Sequence, residues 1–479
     1  MHPNQNEMVN IKIKLTDSLK VINLFKWLLD SYVLDFYVDN HWEKMPKSWI
    51  KTLSNIPPEH LSDLLIGPQQ QTEKTLWPLS LLALRKLLER LSISRSPVKE
   101  PAKNNQSSKE KDSNNNPKQD FNCLTHPKIC TILTKKKIKE KKRHEIERMG
   151  QLTADIAREL RCQYIVDFGS GLGHLARLIS YGHGLNVCCI EKQVALTEQA
   201  NDLDNKAIDL IMKFCKDGTT FRKPVHLNIC LSEDTSFSEL VKNIKNCFRV
   251  DLNDDTFRFG IIGLHPCGNL ASLLIRFFLQ SSEAKFLNLV GCCYFKITTS
   301  IDQNNNNKGY PLSEYLTNLV EPKWHHLSFE AREVACHAIE VYADRLSEKN
   351  YEYLRIHSYR AAAEKIICKY SPERKRSGLR SIKRLTTFRE YCQQAVSHLE
   401  GIIIPDHDVE SPDTQMNLER WKSVVIFYTL RLMLAPIVES VILYDRILYC
   451  IENGCSTKID AIFDPNISAR NHIITAIKP

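Results

Sequence analysis

Three glycines at alternating positions follow an acidic residue in the stretch YIVDFGSGLGHL. An apolar run ends at Asp167, and the order from that residue is D-x-G-x-G-x-G. Glycines let a backbone turn sharply from strand to helix and approach a ligand without interference from a Cβ. The pattern therefore predicts a ligand-binding loop. The loop residues expected to contact the ligand are Gly169, Ser170, Gly171 and Gly173.

The loop composition separates two classes of cofactor. The dinucleotide fingerprint G-x-G-x-x-G requires glycine where this chain has His174. A carboxylate such as Asp167 suits the ammonium of S-adenosylmethionine better than a pyrophosphate. Glu191 ends the next apolar run, where a carboxylate can accept the ribose hydroxyls of either cofactor. The pattern favours S-adenosylmethionine over a dinucleotide or a glycine turn without a ligand.

Two later apolar runs also end in residues capable of chemistry. The segments are GLHPCGNL and GCCYFK, and both fall where parallel strands expose their carboxyl ends to ligands. His265 is a candidate base or cofactor-orienting group, with a hydrogen-bonded structural histidine as the alternative. Tyr294 and Lys296 are further candidates for assisting deprotonation of a methyl acceptor. These three form the predicted catalytic set.

The cysteines in these segments raise the question of a metal site. Three cysteines and a histidine at neighbouring strand ends have the ligand types that zinc uses. However, Cys292 and Cys293 are consecutive in a predicted strand, so their side chains should point to opposite faces. We therefore expect no metal site.

Composition limits the class of protein and its partners. Of 479 residues, 43% are hydrophobic and 25% are charged, the balance of a globular protein with a large core. The formal net charge of +9 is compatible with an RNA partner. We predict no DNA partner, and composition indicates no oligomeric state. The 16 cysteines, without a visible secretory signal, favour a reduced cytoplasmic or nuclear protein.

One segment has the length of a membrane span. It is SVVIFYTLRLMLAPIVESVILY, residues 423–444, and it contains Arg431, Pro436 and Glu439. Each central charge costs about 2.5–3.5 kcal/mol on insertion scales. Buried helices with a break near Pro436 are therefore the preferred interpretation, and a single membrane span ranks second.

Several motifs together resemble a methyltransferase-like family that includes the proteins named for a ribosomal RNA adenine dimethylase domain. They are VDFGSGLGHLARLISYGHGLNVCCIE, GLHPCGNLASLLIRFF, VGCCYFKIT, GYPLSEYL, AREVACHAIEVYADRL, YRAAAEKII, FDPNISARN, LLDSYVLDFYVDNHW, WPLSLLALRKL and KKRHEIERM. The resemblance implies a class I S-adenosylmethionine-dependent fold. It also implies cofactor roles for Asp167, Gly169, Gly171, Gly173 and Glu191.

The resemblance does not define the methyl acceptor. Adenine dimethylases carry an N-[LIP]-P-[YF] element after the fourth strand, whereas this chain has His265-Pro266-Cys267-Gly268. A similar H-x-C-G element occurs in a group of tRNA 2′-O-methyltransferases, so RNA remains a candidate acceptor by analogy. The predicted function is S-adenosylmethionine-dependent methyl transfer. The alternative is a binding or scaffold protein that has this fold without turnover.

The predicted fold is α/β, a Rossmann-like seven-stranded class I methyltransferase sheet with an N-terminal helical domain and a helical insertion. Five strands are predicted by apolar runs that alternate with helical patterns, and two more near the end of the chain. The predicted boundaries are 1–95 for the N-terminal helical domain, 96–120 for a disordered linker, 121–299 for the first part of the methyltransferase domain, 300–436 for the insertion and 437–479 for its last helix and strand pair.

Overall fold

The computed structural model describes most of the chain. The described ranges are 5–67, 75–98, 127–134, 138–214, 222–299, 309–319, 326–376, 378–380, 382 and 387–479. Residues 99–120 of the predicted linker lie outside them. The predicted disorder of the linker and its boundary at residue 120 therefore remain predictions.

The chain forms two compact units, each made of separate segments. Unit 1 comprises Met1–Ile13, Ser94–His325 and Ile442–Pro479. Unit 2 comprises Lys14–Ile93 and His326–Val441. Thus most of the predicted N-terminal helical domain and most of the predicted insertion contribute to one unit, since their helices pack on each other rather than forming separate cores.

Unit 1 contains a seven-stranded sheet. Its strands are β1 (Tyr164–Phe168), β2 (Asn186–Glu191), β3 (Val225–Asn228), β4 (Phe259–Cys267), β5 (Ala284–Cys292), β6 (Ser456–Ala461) and β7 (His472–Ile477). Their order across the sheet is β3-β2-β1-β4-β5-β7-β6. The pairs among β1–β5 are parallel, while β7 runs antiparallel to β5 and β6. All seven strands were predicted, with ends that differ by one to a few residues.

The strand order places the glycine loop centrally. The strand β1 lies between β2 and β4, and Asp167 is in register with Cys189 and Ile262. Ile165 and Val166 are completely buried, as expected for a parallel strand covered on both faces. The loop after β1 therefore opens at the carboxyl edge between its two neighbours.

Helices account for most of the remaining described chain. The α-helices are Gln5–Leu24, Lys26–Leu29, Lys47–Leu53, Ser62–Ile66, Leu79–Leu91, Pro127–Thr134, Glu140–Glu159, His174–Arg177, Val194–Met212, Phe237–Cys247, Asn269–Gln280, Glu314–Thr317, Phe329–Val334, Ile339–Ser347, Tyr351–Tyr370, Phe388–Val396, Asp406–Val409, Pro412–Glu419, Trp421–Met433 and Ala435–Glu452. The helix Glu140–Glu159 buries Ile146, Met149 and Ile156 in the core of unit 1. Because these buried residues recur at helical spacing, they determine which face of this basic helix is exposed to solvent.

The apolar segment near the end of the chain forms two consecutive helices, Trp421–Met433 and Ala435–Glu452, with an interruption at Leu434. In the described part of the chain, this 32-residue stretch alone is long and apolar enough to cross a membrane, and 89% of its most apolar window is buried inside the protein. Arg431 is 1% exposed. Such burial is what the core-helix interpretation predicts.

Candidate functional site

The glycine loop and its neighbours enclose a cavity of about 210 Å³. Its lining residues are Lys142, Asp167, Gly169, Ser170, Gly171, Leu172, His174, Leu175 and Leu264. Four of the six residues predicted to bind a cofactor are among them. Gly173 and Glu191 support the loop from outside the lining.

The first two loop glycines adopt backbone angles that L-residues rarely adopt. Their φ angles are +70° at Gly169 and +55° at Gly171. A methyl group placed on either Cα would meet no other atom within 4 Å. Glycine is therefore needed there for conformation and leaves open space in which a ligand can approach the backbone.

Gly173 is required for a different reason. Its φ is +69°, and an added Cβ would lie 3.1 Å from His226 Cε1 and 3.4 Å from Arg177 Nη1. Arg177 Nη2 donates to the Leu172 carbonyl at 2.6 Å. The absence of a side chain at Gly173 thus leaves room for the buried Arg177, which stabilises the loop by its hydrogen bond to Leu172.

The arginine belongs to a buried network that sequence reasoning missed. Arg177 Nη1 lies 2.7 Å from Asp204 Oδ1, and His226 Nε2 lies 2.7 Å from Asp204 Oδ2. Asp204 is completely buried. In the sequence, Arg177 and Asp204 are charged residues of two helical segments, and a solvated position would explain each of them equally well.

Glu191 braces the loop from β2. Its two carboxylate oxygens accept hydrogen bonds from the backbone N–H of Gly171 at 3.1 Å and of Gln193 at 3.0 Å. Glu191 is not part of the cavity lining. A carboxylate has further lone pairs beyond these two bonds, so its predicted ribose role is compatible with the bracing role and remains a prediction.

Asp167 is a buried carboxylate that faces the cavity. Its pKa is raised to about 7, mainly by burial; the Lys142 ammonium lowers this pKa, and the Glu191 carboxylate adds a smaller upward effect. Among the described residues, none donates a hydrogen bond to this carboxylate. A buried acid without a donor, facing a cavity that Lys142 also lines, fits a ligand that carries an ammonium and a carboxylate together.

Three separate motifs meet around His265. Its Nε2 lies 2.9 Å from Glu145 Oε1, and Ser468 Oγ donates to the same oxygen at 2.7 Å. Burial raises the pKa of the Glu145 carboxyl group, but the interactions with His265, Ser468 and Lys141 together outweigh burial and lower that pKa. His265 has a φ of +68° and directly follows Leu264, a lining residue of the cavity. Glu145 thereby orients an imidazole at the cavity's edge.

Tyr294 and Lys296 occupy different surroundings in the short 3₁₀ helix after β5. Tyr294 is 1% exposed, and its ring centroid lies 5.8 Å from the Arg446 guanidinium and 5.6 Å from that of Arg470. Lys296 is exposed and stands over the Phe295 ring. Neither lies in the cavity lining, and their catalytic roles remain predictions.

The positions of the cysteine thiols contradict the expectation that Cys292 and Cys293 point to opposite faces of a strand. Cys267 Sγ lies 3.3 Å from Cys292 Sγ and 3.5 Å from Cys293 Sγ. The strand β5 ends at Cys292, and Cys293 adopts a φ of +50°. Because alternation applies only within a strand, this left-handed residue turns its thiol toward the same side as its neighbour.

A second cavity lies within unit 2. It measures about 120 Å³ and is lined by Tyr32, Val33, Leu34, Glu333, His337, His357, Arg360, Tyr428 and Arg431. Burial lowers the pKa of His357 to about 3, so that ring is neutral. This cavity lacks a glycine loop at a strand end, so the candidate cofactor site is the one in unit 1.

Comparison with known proteins agrees with this assignment. Residues 141–300 match a family model described as "Methyltransferase domain". They contain β1 to β5 with the glycine loop, and with β6 and β7 the sheet has the strand order of class I methyltransferases. This part of the chain is a methyltransferase domain of the class that uses S-adenosylmethionine.

Two curated relatives have names that also refer to methyltransferases. The chain is 25% identical over 265 residues to "Probable methyltransferase-like protein 25" of Homo sapiens and 26% identical over 267 residues to that of Mus musculus. In each case the match covers 52% of this chain and 40% of the relative. The chain therefore spans well under half the length of these curated relatives.

A solved structure also aligns with part of the chain. The plantazolicin methyltransferase BpumL in complex with SAH shares 11% identity and covers 62% of this chain and 87% of its own. The TM-score is 0.20, which is too low to support a structural argument.

Proposed function

We propose that this protein transfers a methyl group from S-adenosylmethionine to a nitrogen or oxygen atom of an RNA. The observation that carries the methyl-transfer part is Asp167, a buried carboxylate without a donor that faces the cavity of the glycine loop. A cationic ligand group would satisfy it. A methyltransferase domain at residues 141–300 is consistent with that ligand.

In this proposal, different residues around the cavity bind different parts of the cofactor. Asp167 holds the ammonium, and Lys142, which lines the same cavity, holds the carboxylate. The backbone of Gly169 and Gly171 would approach the amino-acid part of the cofactor, while Glu191 would brace the loop and accept the ribose hydroxyls. S-adenosylmethionine supplies an electrophilic methyl group when bound. The protein's contribution is then to hold the acceptor atom in line with that methyl group.

Proton removal from the acceptor falls to His265 in this proposal. When Nε2–H of His265 donates to Glu145, the other ring nitrogen is free to accept a proton. The Glu145 carboxylate then stabilises the resulting imidazolium. Tyr294 and Lys296 remain secondary candidates, since the first is buried against two arginines and the second is exposed.

The RNA part of the proposal rests on charge and position. The helix Glu140–Glu159 begins EKKRHEIER, so it brings several cations to the end that carries Lys142. Cations beside a methyl-transfer site favour a polyanionic substrate. The resemblance to proteins named for a ribosomal RNA adenine dimethylase domain supports the same class. The element His265-Pro266-Cys267-Gly268 in place of N-[LIP]-P-[YF] leaves the acceptor a nitrogen or oxygen, without restriction to adenine N6.

We also propose a cytoplasmic or nuclear location. Thirteen described cysteines are free, including seven that are buried. Reduced thiols in such numbers are typical of reducing compartments.

The test is methyl transfer by the purified full chain. It is incubated with S-adenosylmethionine labelled on the methyl group and with separate RNA, protein and metabolite fractions from cells. Label in RNA, followed by digestion to nucleosides, identifies the modified atom. Asp167→Asn, which keeps the shape of the side chain, should abolish the signal.

Other outcomes contradict parts of the proposal. Label in protein or metabolites removes RNA as the substrate but retains methyl transfer. Cofactor binding by calorimetry with no label in any fraction favours the binding or scaffold protein. Equal labelling by Asp167→Asn would remove Asp167 from the cofactor site.

A further inference from the structure

We propose that Cys267, Cys292 and Cys293 form a binding site for one zinc ion. The three thiols come from the ends of two neighbouring strands, and nothing in the methyl-transfer proposal depends on them. All three sulfur atoms lie within 4.8 Å of one another. Among the described residues, this is the one group of three cysteines that meets at such distances.

The backbone at the ends of β4 and β5 creates this convergence. Cys267 and Cys292 are direct neighbours in the parallel ladder, beyond a register shift between Leu264 and Cys267. His265 and Cys293 both adopt left-handed φ angles, at +68° and +50°. Non-glycine residues in this conformation are uncommon and tend to mark functional sites. One such residue, His265, lies on β4 two positions before Cys267, and the other is Cys293 itself, directly after β5.

Distances distinguish the site from a disulfide and agree with zinc. A disulfide has sulfur atoms about 2.05 Å apart, whereas Cys267 Sγ is 3.3 Å from Cys292 Sγ and 3.5 Å from Cys293 Sγ. Tetrahedral zinc with Zn–S bonds of about 2.3 Å separates its sulfur ligands by about 3.8 Å. Small side-chain rotations would therefore open the cluster to coordination distances.

The surroundings suit an ion held by three thiolates. Zn²⁺ with three thiolates carries a net charge of −1, and the exposed Lys296 stands close enough to affect Cys267 electrostatically. Cys292 is buried, Cys293 is half-buried and Cys267 is exposed. Solvent can therefore reach the ion from the Cys267 side. Three protein ligands plus one exchangeable water is the arrangement of a zinc site with an open position.

The experiment measures zinc and its ligand atoms in the purified, reduced full chain. The protein is loaded with Zn²⁺, desalted and analysed by elemental mass spectrometry, and a parallel sample is loaded with Co²⁺ for absorption spectroscopy. We expect one zinc per chain and a cobalt spectrum with thiolate charge-transfer bands. The triple variant Cys267→Ser, Cys292→Ser, Cys293→Ser should retain no zinc. Each single variant should weaken binding at least about tenfold.

The matched control is Cys230→Ser, an exposed cysteine of the same unit outside the cluster. It should retain one zinc and the thiolate spectrum. Zinc retention by the triple variant, or no retention by the wild type, would overturn the proposal. So would a cobalt spectrum without thiolate bands.

A measurement on the wild type keeps the proposal falsifiable if the triple variant does not fold. Zinc should protect Cys267 from alkylation in the folded protein but leave Cys230 equally reactive. Unchanged alkylation of Cys267 in the presence of zinc contradicts the site. An intact mass lower by two hydrogens in unreduced protein that takes up no zinc would identify a disulfide pair instead.

Discussion

His265 Nε2 stands 2.9 Å from Glu145 Oε1, although the two residues are 120 positions apart in the chain. Glu145 is 2% exposed and is also hydrogen-bonded to Ser468. A base whose orientation is set by a buried carboxylate is the arrangement used in general acid–base catalysis. The proposed role of His265 can therefore also be tested by substituting Glu145.

His265→Ala should reduce methyl transfer by about 10²–10⁴-fold, because positioned acid–base groups contribute that much. Affinity for S-adenosylmethionine should change less than about threefold, a difference under about 1 kcal/mol. Glu145→Gln should reduce the rate in the same direction and shift the pH profile of the remaining activity. Melting temperature, calorimetric binding and single-turnover rate are measured on one preparation. Joint loss of melting temperature and affinity, with a near-normal rate, would assign His265 to structural support.

Glu191→Ala should weaken S-adenosylmethionine binding about 10- to 150-fold, since hydrogen bonds to a charged group contribute about 1.5–3 kcal/mol. The variant loses the acceptor of the Gly171 N–H as well as the proposed ribose acceptor. Calorimetry measures the affinity, with the exposed Glu198→Ala as control and NAD as a ligand that should produce no heat. Unchanged affinity with a normal circular dichroism spectrum would exclude both roles, and clear NAD binding would overturn the cofactor assignment.

Cofactor affinity should fall as pH falls through about 7. Burial raises the pKa of Asp167 to about 7 in the free protein, and the cofactor's ammonium binds only the ionised carboxylate. Between pH 7.5 and 6.0 the apparent affinity should fall about eightfold. Calorimetry across this range measures it, and Asp167→Asn should bind weakly with a flat profile. A flat profile in the wild type would contradict the shift.

Asp167 should make the stability of the free protein fall as pH rises, which is opposite to the pH dependence of cofactor affinity. Its folded-state pKa lies above the unfolded value of 3.8, so folding favours the protonated form. The contribution to stability is complete below the unfolded pKa and is lost as pH rises through about 7. Urea unfolding of wild type and Asp167→Asn measures it: the difference between them should grow from pH 5 to pH 8. A constant difference would contradict the linkage.

Gly173→Ala should destabilise the protein more than Gly171→Ala. Both positions have positive φ, for which a non-glycine residue costs about 1–3 kcal/mol. Only at Gly173 does the added Cβ also crowd His226 and Arg177. Urea unfolding compares the two, with Gly401→Ala as a control at a positive φ with open space. Equal destabilisation by all three variants would show that close packing at Gly173 is unimportant.

The 32-residue apolar stretch Trp421–Glu452 should not anchor the protein. Its most apolar window is 89% buried, so the faces that lipid would contact are already covered by protein. Carbonate extraction of cell membranes should release the full-length protein. Retention in the pellet would support the membrane span that ranks second.

Features that depend on local order can be predicted from the amino-acid sequence. Asp167 and the alternating glycines define the loop, because conformational freedom and charge are properties of the residues themselves. The strands β1, β2, β4 and β5 follow from apolar runs bounded by polar or glycine residues, since burial on both faces of a parallel sheet leaves such runs. The cofactor class followed from the same short segment.

Tertiary structure decided the contacts between distant segments. Lys142 and Glu145 belong to a basic amphipathic helix, and nothing local indicates that one lines the cavity and the other orients His265. The Arg177–Asp204–His226 network required two helices and β3 to pack together. The alternation rule failed at Cys293 because the strand ends at Cys292 and the next residue turns left-handed. A sequence pattern indicates the side-chain alternation of a strand, but the residue at which the strand ends depends on the packing around that end.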